Sequence, residues 1–314
     1  MRPLILINLI ICNMIWAMNP VMGKWLLETY SPTQVAWLRF SGAALSFWVF
    51  IVALKFLLPR TAVSWPLLQS RILKDWFYVF VIGVSAFTIN PILQTTGLHA
   101  SRATDNALIV ALEPLMHVLV AWIVLGEKVA KRYQIAFFIS LIGFSLLSGV
   151  NPETLSSISA HLIGNLLIAS ALLGEAVFTS FSKKLIYRHS MVGVFGSALS
   201  VGALFLTFFL ILWDEFPNLR LMPTKGLIAW IWLGPIGTAF TYFYWIKAIK
   251  DAPIPAIALT LFVQPVVGWI FGGLVLGEQL TFLQTLGALL LLSTLITQML
   301  PDKNFKITVK SSKN

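Results

Sequence analysis

The stretch Ala107–Lys128, ALIVALEPLMHVLVAWIVLGEK, limits what this chain can fold into more than any other part of it. It is long enough to cross a bilayer and apolar on every side, yet it carries Glu113 near its middle and His117 one helical turn further on. A carboxylate at that depth costs roughly 2.5–3.5 kcal/mol on insertion-based scales. A second copy, ALTLFVQPVVGWIFGGLVLGEQ, occupies Ala258–Gln279, 151 residues later. Ala107 against Ala258, Pro114 against Pro265, and Val124-Leu125-Gly126-Glu127 against Val275-Leu276-Gly277-Glu278 all keep that one offset. The fold is therefore duplicated, and its unit is built from apolar cylinders.

The rest of the sequence repeats the theme. With 58% hydrophobic residues, 11% charged and a mean hydropathy of +0.86, the apolar content comes in all-round blocks of about 20 residues rather than in amphipathic stripes. Ten spans can be read: about Leu4–Leu27, Pro32–Leu58, Asp75–Leu98, Ala103–Leu125 and Tyr133–Val150, then His161–Lys183, Met191–Trp213, Gly226–Ile249, Pro253–Leu276 and Thr281–Leu300. The expectation is an all-α polytopic membrane protein: one five-helix repeat over residues 1–150, a second over 151–300, and a polar basic tail at 301–314. The first block is too long for the apolar region of a cleavable signal and reads as a span. The lone cysteine, Cys12, leaves no disulfide framework, and no metal cluster or cofactor is expected.

Charge sets the direction. Seventeen of the 22 Lys and Arg residues fall on one set of connections, from Arg2 through Lys55, Lys128 and Lys184 to Lys313. Four (Lys24, Arg102, Arg220 and Lys225) fall on the other, and Arg39 lies within a span. That split predicts both termini in the cytoplasm, most simply at the cell membrane, and assigns the net charge of +10 to topology rather than to nucleic acid. Five spans per half is an odd number, so corresponding helices run in opposite directions. Inverted repeats of this kind are an architecture of secondary transporters, with the solute site near the midplane between the halves. Trp16–Lys24 and Glu175–Lys183 align at a separate offset of 159.

The residues that could carry chemistry are the polar ones inside the spans. Glu113 must be paired, protonated or facing a wet cavity, and His117 at i+4 shares its face and can share its proton or bond a solute. A structural bond between helices is the alternative. Pro114 opens the backbone ladder near Val110, and Pro265 does the same near Leu261. Glu113 becomes Gln264 in the second copy and His117 becomes Gly268, so the scaffold is symmetric and the ionisable chemistry is not. Glu175 lies at a comparable depth, where two carboxylates could share a proton or favour a cationic solute. Arg39 either neutralises one of them or snorkels outward. Trp16, Asn19, Asn90, Gln94, Tyr242 and Gln264 complete the expected lining, each with helix–helix packing as the alternative.

Trp16-Ala17-Met18-Asn19-Pro20, Leu38-Arg39-Phe40, the two Pro…Gly-Glu blocks at Pro114–Glu127 and Pro265–Glu278, and the glycines Gly143 and Gly287 resemble the drug/metabolite transporter superfamily, in its ten-span form with two EamA-type repeats. The resemblance runs to about Leu300. It implies a solute transporter working by alternating access, with a central cavity lined mainly by helices 1, 3, 4, 6, 8 and 9. Similar proteins move amino acids, nucleotide sugars, purines, amines and dyes, many as exporters. In place of a second Trp…Asn signature this chain has Leu172-Leu173-Gly174-Glu175.

The expected partners are thus a small-molecule solute, protons and the lipid bilayer, with the protein a monomer or homodimer. The expected function is proton-coupled efflux of an amino acid, amine, nucleoside or drug-like solute. Uptake or exchange by the same fold is the variant. An integral membrane lipid-processing enzyme is the reading from another class, and it would need an acid and histidine cluster at headgroup depth. No Walker A motif, metalloprotease motif or G-x-S-x-G elbow occurs, and no enzymatic activity is expected.

Overall fold

The computed structural model describes residues 2–57, 64–101, 109–127, 129–148, 161–276 and 281–299. Among them every regular element is helical. The first half comprises α1 (Pro3–Ala17), α2 (Asn19–Leu27), α3 (Pro32–Leu57), α4 (Leu73–Val84), α5 (Asn90–Ala100), α6 (Glu113–Leu125) and α7 (Lys131–Ser148). The second comprises α8 (Leu162–Ile186), α9 (Met191–Trp213), α10 (Thr224–Ile231), α11 (Thr241–Asp251), α12 (Ile254–Ala258), α13 (Val263–Leu276) and α14 (Phe282–Met299). Several are pieces of one span. Continuous apolar stretches over Pro3–Leu27, Pro32–Leu57, Leu73–Ala100, Leu162–Ile186, Met191–Trp213 and Thr224–Asp251 are long enough to cross a membrane, and shorter apolar helices stand where the fourth, ninth and tenth spans were expected. Large apolar side chains such as Val49, Phe50, Phe138, Ile163, Leu204 and Leu289 point outward and exposed, the surface a bilayer requires and water does not tolerate in such quantity.

The breaks within spans have local causes, and those of the third, fourth, eighth and ninth spans come in pairs. Between α4 and α5 the chain widens into a π-helical turn, Ser85–Ile89, ahead of Pro91, which has no N–H to return to the carbonyl of Phe87. Between α10 and α11 a longer π-helical stretch, Trp232–Phe240, contains Pro235. Hydroxyls take up carbonyls that the wider turns loosen: Thr88 donates to Gly83 O and Gly202 O (both 3.2 Å), Thr238 to Leu233 O (2.7 Å) and Thr241 to Gly237 O (2.8 Å). Both π stretches end at positions 151 apart, Ile89 and Phe240, and the helices that follow, α5 and α11, have 11 residues each.

The fourth and ninth spans match in the same way. The fourth turns at Ala111–Leu112 before α6, with Pro114 at its second position; the ninth tightens into a 3-10 stretch, Leu259–Phe262, before α13 and Pro265. The first span steps from α1 to α2 at Met18, with Pro20 just inside α2. The fifth and tenth spans pack on each other, their main chains closest at Gly143 and Gly287. The main apolar core runs through α3, α4, α8, α9 and α11, around Phe40, Phe87, Phe178, Phe195 and Tyr242. It supports one wall of the space between the halves.

Candidate functional site

The broken spans bring the polar residues together. Glu175, near the middle of α8, accepts a hydrogen bond from Asn90 Nδ2 (2.6 Å) at the first position of α5, and another from the Tyr242 hydroxyl on α11. That contact needs the third and sixth spans to touch, and Gly174 permits it. A Cβ there would lie 2.6 Å from Asn90 Cβ and 2.8 Å from Ser85 O, closer than any side chain allows.

Glu113 is the first residue of α6 rather than a mid-helix residue, because the turn at Ala111–Leu112 ends the preceding helix. Its carboxylate therefore sits at a helix N-terminus, the end that favours negative charge. It lies within electrostatic range of Glu175. Among the described residues it makes no side-chain hydrogen bond, and both glutamates remain half-buried where their neighbours Asn90 and Tyr242 are closed off. Two half-buried carboxylates from different halves thus lie within electrostatic range of each other.

Arg39 is turned inward. It is 7% exposed, donates through Nε to Thr238 Oγ1 (3.0 Å) and through Nη1 to Gln94 Oε1 (3.2 Å), and acts electrostatically on Glu175. Of its two sequence readings, snorkelling outward is the one the structure overturns. The physical reason is that the loosened π stretch presents Thr238 toward α3, so the guanidinium finds neutral acceptors without leaving the protein.

His117 is buried. Its Nδ1 bonds the main-chain carbonyl of Glu113 (3.0 Å), and its ring meets Trp245 edge-on at 5.8 Å. It touches the backbone of Glu113, whereas the shared face suggested its carboxylate. Trp16 donates through Nε1 to Gly237 O (2.9 Å) and Thr241 Oγ1 (2.8 Å), and its ring lies 5.4 Å from Tyr242 and 5.2 Å from Trp245. Asn19, first residue of α2, has a buried Oδ1 that finds no donor among the described residues. Gln264 stands slightly apart: it donates to Asn13 Oδ1 (3.1 Å), and Asn13 donates to Thr260 Oγ1 (3.1 Å), tying the first span to the ninth. Gly277, Glu278 and the side chain of Trp269 lie outside the described residues.

Thr238, Thr241, Thr179 and Trp245 complete the network, Trp245 donating to Thr179 Oγ1 at 3.0 Å. Sequence reasoning missed the threonines, since a threonine in an apolar span reads as packing. For Thr238 and Thr241 the available signal was their position beside the Gly-Pro and Gly-Thr steps in residues 234–241, and Thr179 had none. The cluster as a whole draws on the first, second, third, fourth, sixth and eighth spans. It offers acceptors at Glu113, Glu175 and Asn19, one fixed cation at Arg39, and aromatic faces at Trp16, Tyr242 and Trp245.

Comparison with known proteins agrees with this architecture. The EamA-like transporter family matches twice, over residues 3–149 and 162–298. An uncharacterized transporter of Synechocystis is 28% identical over 241 residues, covering 73% of this chain and 67% of its own. An uncharacterized inner membrane transporter of Salmonella typhimurium is 26% identical over 297 residues, 93% of each chain. A solved crystal structure with 15% sequence identity superposes with a TM-score of 0.71 over 96% of this chain and 99% of that one, which shows the fold alone. Two family matches spanning almost the whole sequence, one for each half of a polytopic helical protein, place the chain in the EamA-like transporter family as an integral membrane transporter.

Proposed function

We propose that this transporter is a secondary exporter of a small metabolite, that it works by alternating access, and that it couples efflux to proton entry through Glu113 and Glu175. One observation carries the reading: two half-buried carboxylates from opposite halves lie within electrostatic range of each other, and the Glu113 carboxylate makes no hydrogen bond among the described residues. With both acids ionised, Arg39 balances one of them and a negative charge is left over. A proton or a cationic group removes that excess, and each competes with the other for the same place. Mutually exclusive occupancy of one site by two species, carried across by a two-sided machine, is antiport.

The solute that suits this lining is small and carries a protonated amine. The amine sits between the carboxylates, and the faces of Trp16, Tyr242 and Trp245 accept its flank through cation–π and apolar contact. The basic connections lie in the cytoplasm with both termini. The membrane is the cell membrane, in keeping with the similar inner membrane transporter of Salmonella typhimurium.

The test is flux in proteoliposomes. A thermal-shift screen of the purified protein against amino acids, nucleosides, amines and sugar nucleotides identifies a ligand, since a solute that binds only the folded state raises the melting temperature. Wild-type vesicles then accumulate it when the interior is more acidic than the outside. Glu113→Gln melts normally and loses the pH-driven component. Undiminished pH-driven flux in that variant removes the proton role.

A further inference from the structure

The ion pair between Glu127 and Lys183 does more than finish a helix. Gly126 ends α6 in the left-handed region (φ 67°), returning its N–H to Trp122 O at 2.9 Å, and the chain turns sharply enough to carry Glu127 across to the other half. There Glu127 Oε1 lies 2.6 Å from Lys183 Nζ. The lysine is 5% exposed and the glutamate 22%, so water screens the pair poorly. Each partner also holds the turn between α11 and α12. Lys183 donates to Ala252 O (3.2 Å), and Ile254 N–H donates to Glu127 Oε2 (3.3 Å). Four groups thus join the ends of the fourth, sixth, eighth and ninth spans on the face that carries the basic connections. Lys183 stands eight residues beyond Glu175 on α8, about 12 Å nearer that face.

The opposite face carries the counterpart of half this arrangement. Lys24, at the end of α2, donates to Leu98 O (2.5 Å) and Ser101 O (3.2 Å) at the end of the third span. Lys24 and Lys183 are 159 residues apart, and Ser101 and Ala252 are 151 apart, the same two offsets that relate the halves elsewhere. Each half therefore clips its own broken spans together with a lysine, on opposite sides of the membrane.

We propose that the Glu127–Lys183 pair, with the main-chain groups of Ala252 and Ile254, is the latch that closes the site on the basic face. Its release is the step that exposes Glu113 and Glu175 to that side, and Lys24 on the Leu98 and Ser101 carbonyls is the corresponding clip on the other side. The assignment rests on the site between the halves being the transport site. A latch is distinguished from a merely stabilising pair by direction: loosening one face must not loosen the other.

Hydrogen–deuterium exchange on the intact protein in nanodiscs reads this without any solute. In Glu127→Gln, amide exchange in residues 183–190 and 252–258 rises on the order of tenfold, the factor that about 1.4 kcal/mol of opening free energy represents, while residues 97–101 stay at the wild-type rate. Lys183→Arg keeps the charge and the donors and stays close to wild type. Lys24→Gln gives the reverse pattern, faster exchange at 97–101 and slower exchange at 183–190. Unchanged exchange in Glu127→Gln overturns the latch, and so does an equal rise on both faces in either Gln variant. Because exchange reports closure and not flux, a failed latch leaves the proton role of Glu113 standing, and a failed proton role leaves the latch standing.

Discussion

The two halves make the same contacts with different chemistry. Trp16 and Glu175 are 159 residues apart, Thr241 and Asn90 are 151 apart, and the structure pairs Trp16 with Thr241 and Glu175 with Asn90. One hydrogen bond between a broken span and its neighbour in the other half thus exists twice. In one copy an indole N–H meets a hydroxyl; in the other an amide N–H meets a carboxylate. In the fourth and ninth spans the chemistry differs as well, Glu113 and His117 answering to Gln264 and Gly268. The backbone breaks of the third, fourth, eighth and ninth spans, the prolines Pro114 and Pro265 and the lysine clips are kept in both copies, whereas Glu113, His117 and Glu175 each occur in one. The duplicated scaffold supplies the moving parts, and the unduplicated charges supply what they act on.

The comparison breaks most visibly at Glu175. Replacing it by Ala removes the shared acceptor of Asn90 and Tyr242 and leaves Arg39 buried with only the neutral oxygens of Thr238 and Gln94. Arg39 acts on Glu175 electrostatically without a salt bridge, so the main loss is of the two hydrogen bonds to the carboxylate, each worth about 1.5–3 kcal/mol. Glu175→Ala is therefore expected to fall by the worth of both in denaturant unfolding and to lose transport altogether. The double variant Glu175→Ala/Arg39→Met recovers part of the stability and none of the flux. If the single variant unfolds like wild type, Arg39 and Glu175 are not balancing each other.

A smaller and more pointed effect separates the two equivalent bonds. Asn90→Ala deletes a charge-assisted bond at 2.6 Å and is expected to cost about 1.5–3 kcal/mol. Trp16→Phe keeps a ring and deletes neutral bonds at 2.8 and 2.9 Å, for about 0.5–1.5 kcal/mol. Urea midpoints of the two variants at equal m-value measure the difference. Equal losses mean that Glu175 carries no charge in its resting state, which also changes the ledger of the antiport reading.

How much of this was legible in the sequence depends on which physical signal carries it. The spans were, because a bilayer demands an apolar block of fixed length, and Pro114, Pro265 and Asn90-Pro91 marked three breaks because proline acts on its own helix. The π-helical stretch Trp232–Phe240 was not, since its width is settled by Thr238 and Thr241 capturing carbonyls. Glu113 and Glu175 stood out as acids in oil. That they lie within electrostatic range of each other, and that Arg39 turns inward toward Thr238, depends on how helices rotate about their axes. An all-apolar helix has no stripe from which that rotation can be read. Lys183 and Glu127 read as ordinary span ends for a related reason: one belongs to each half, and only the packed structure brings them within 2.6 Å.

The finest contrast lies at His117 and Gly268. His117 is packed against Trp245 and bonded to the backbone of Glu113, whereas a Cβ built on Gly268 meets nothing within 4 Å among the described residues. The equivalent face of the ninth span is therefore open where the fourth is filled. Gly268→Ala then gains the helix preference of alanine without a clash and is expected to stabilise the protein by about 0.5–1 kcal/mol, read as a rise in the urea midpoint. His117→Ala, which empties a packed site, is expected to move the midpoint the other way. A destabilised Gly268→Ala shows that the ninth span closes over this position during the transport cycle. The room beside Gly268 then belongs to one conformation rather than to the fold, and the asymmetry between the halves at these two positions is a matter of state as well as of sequence.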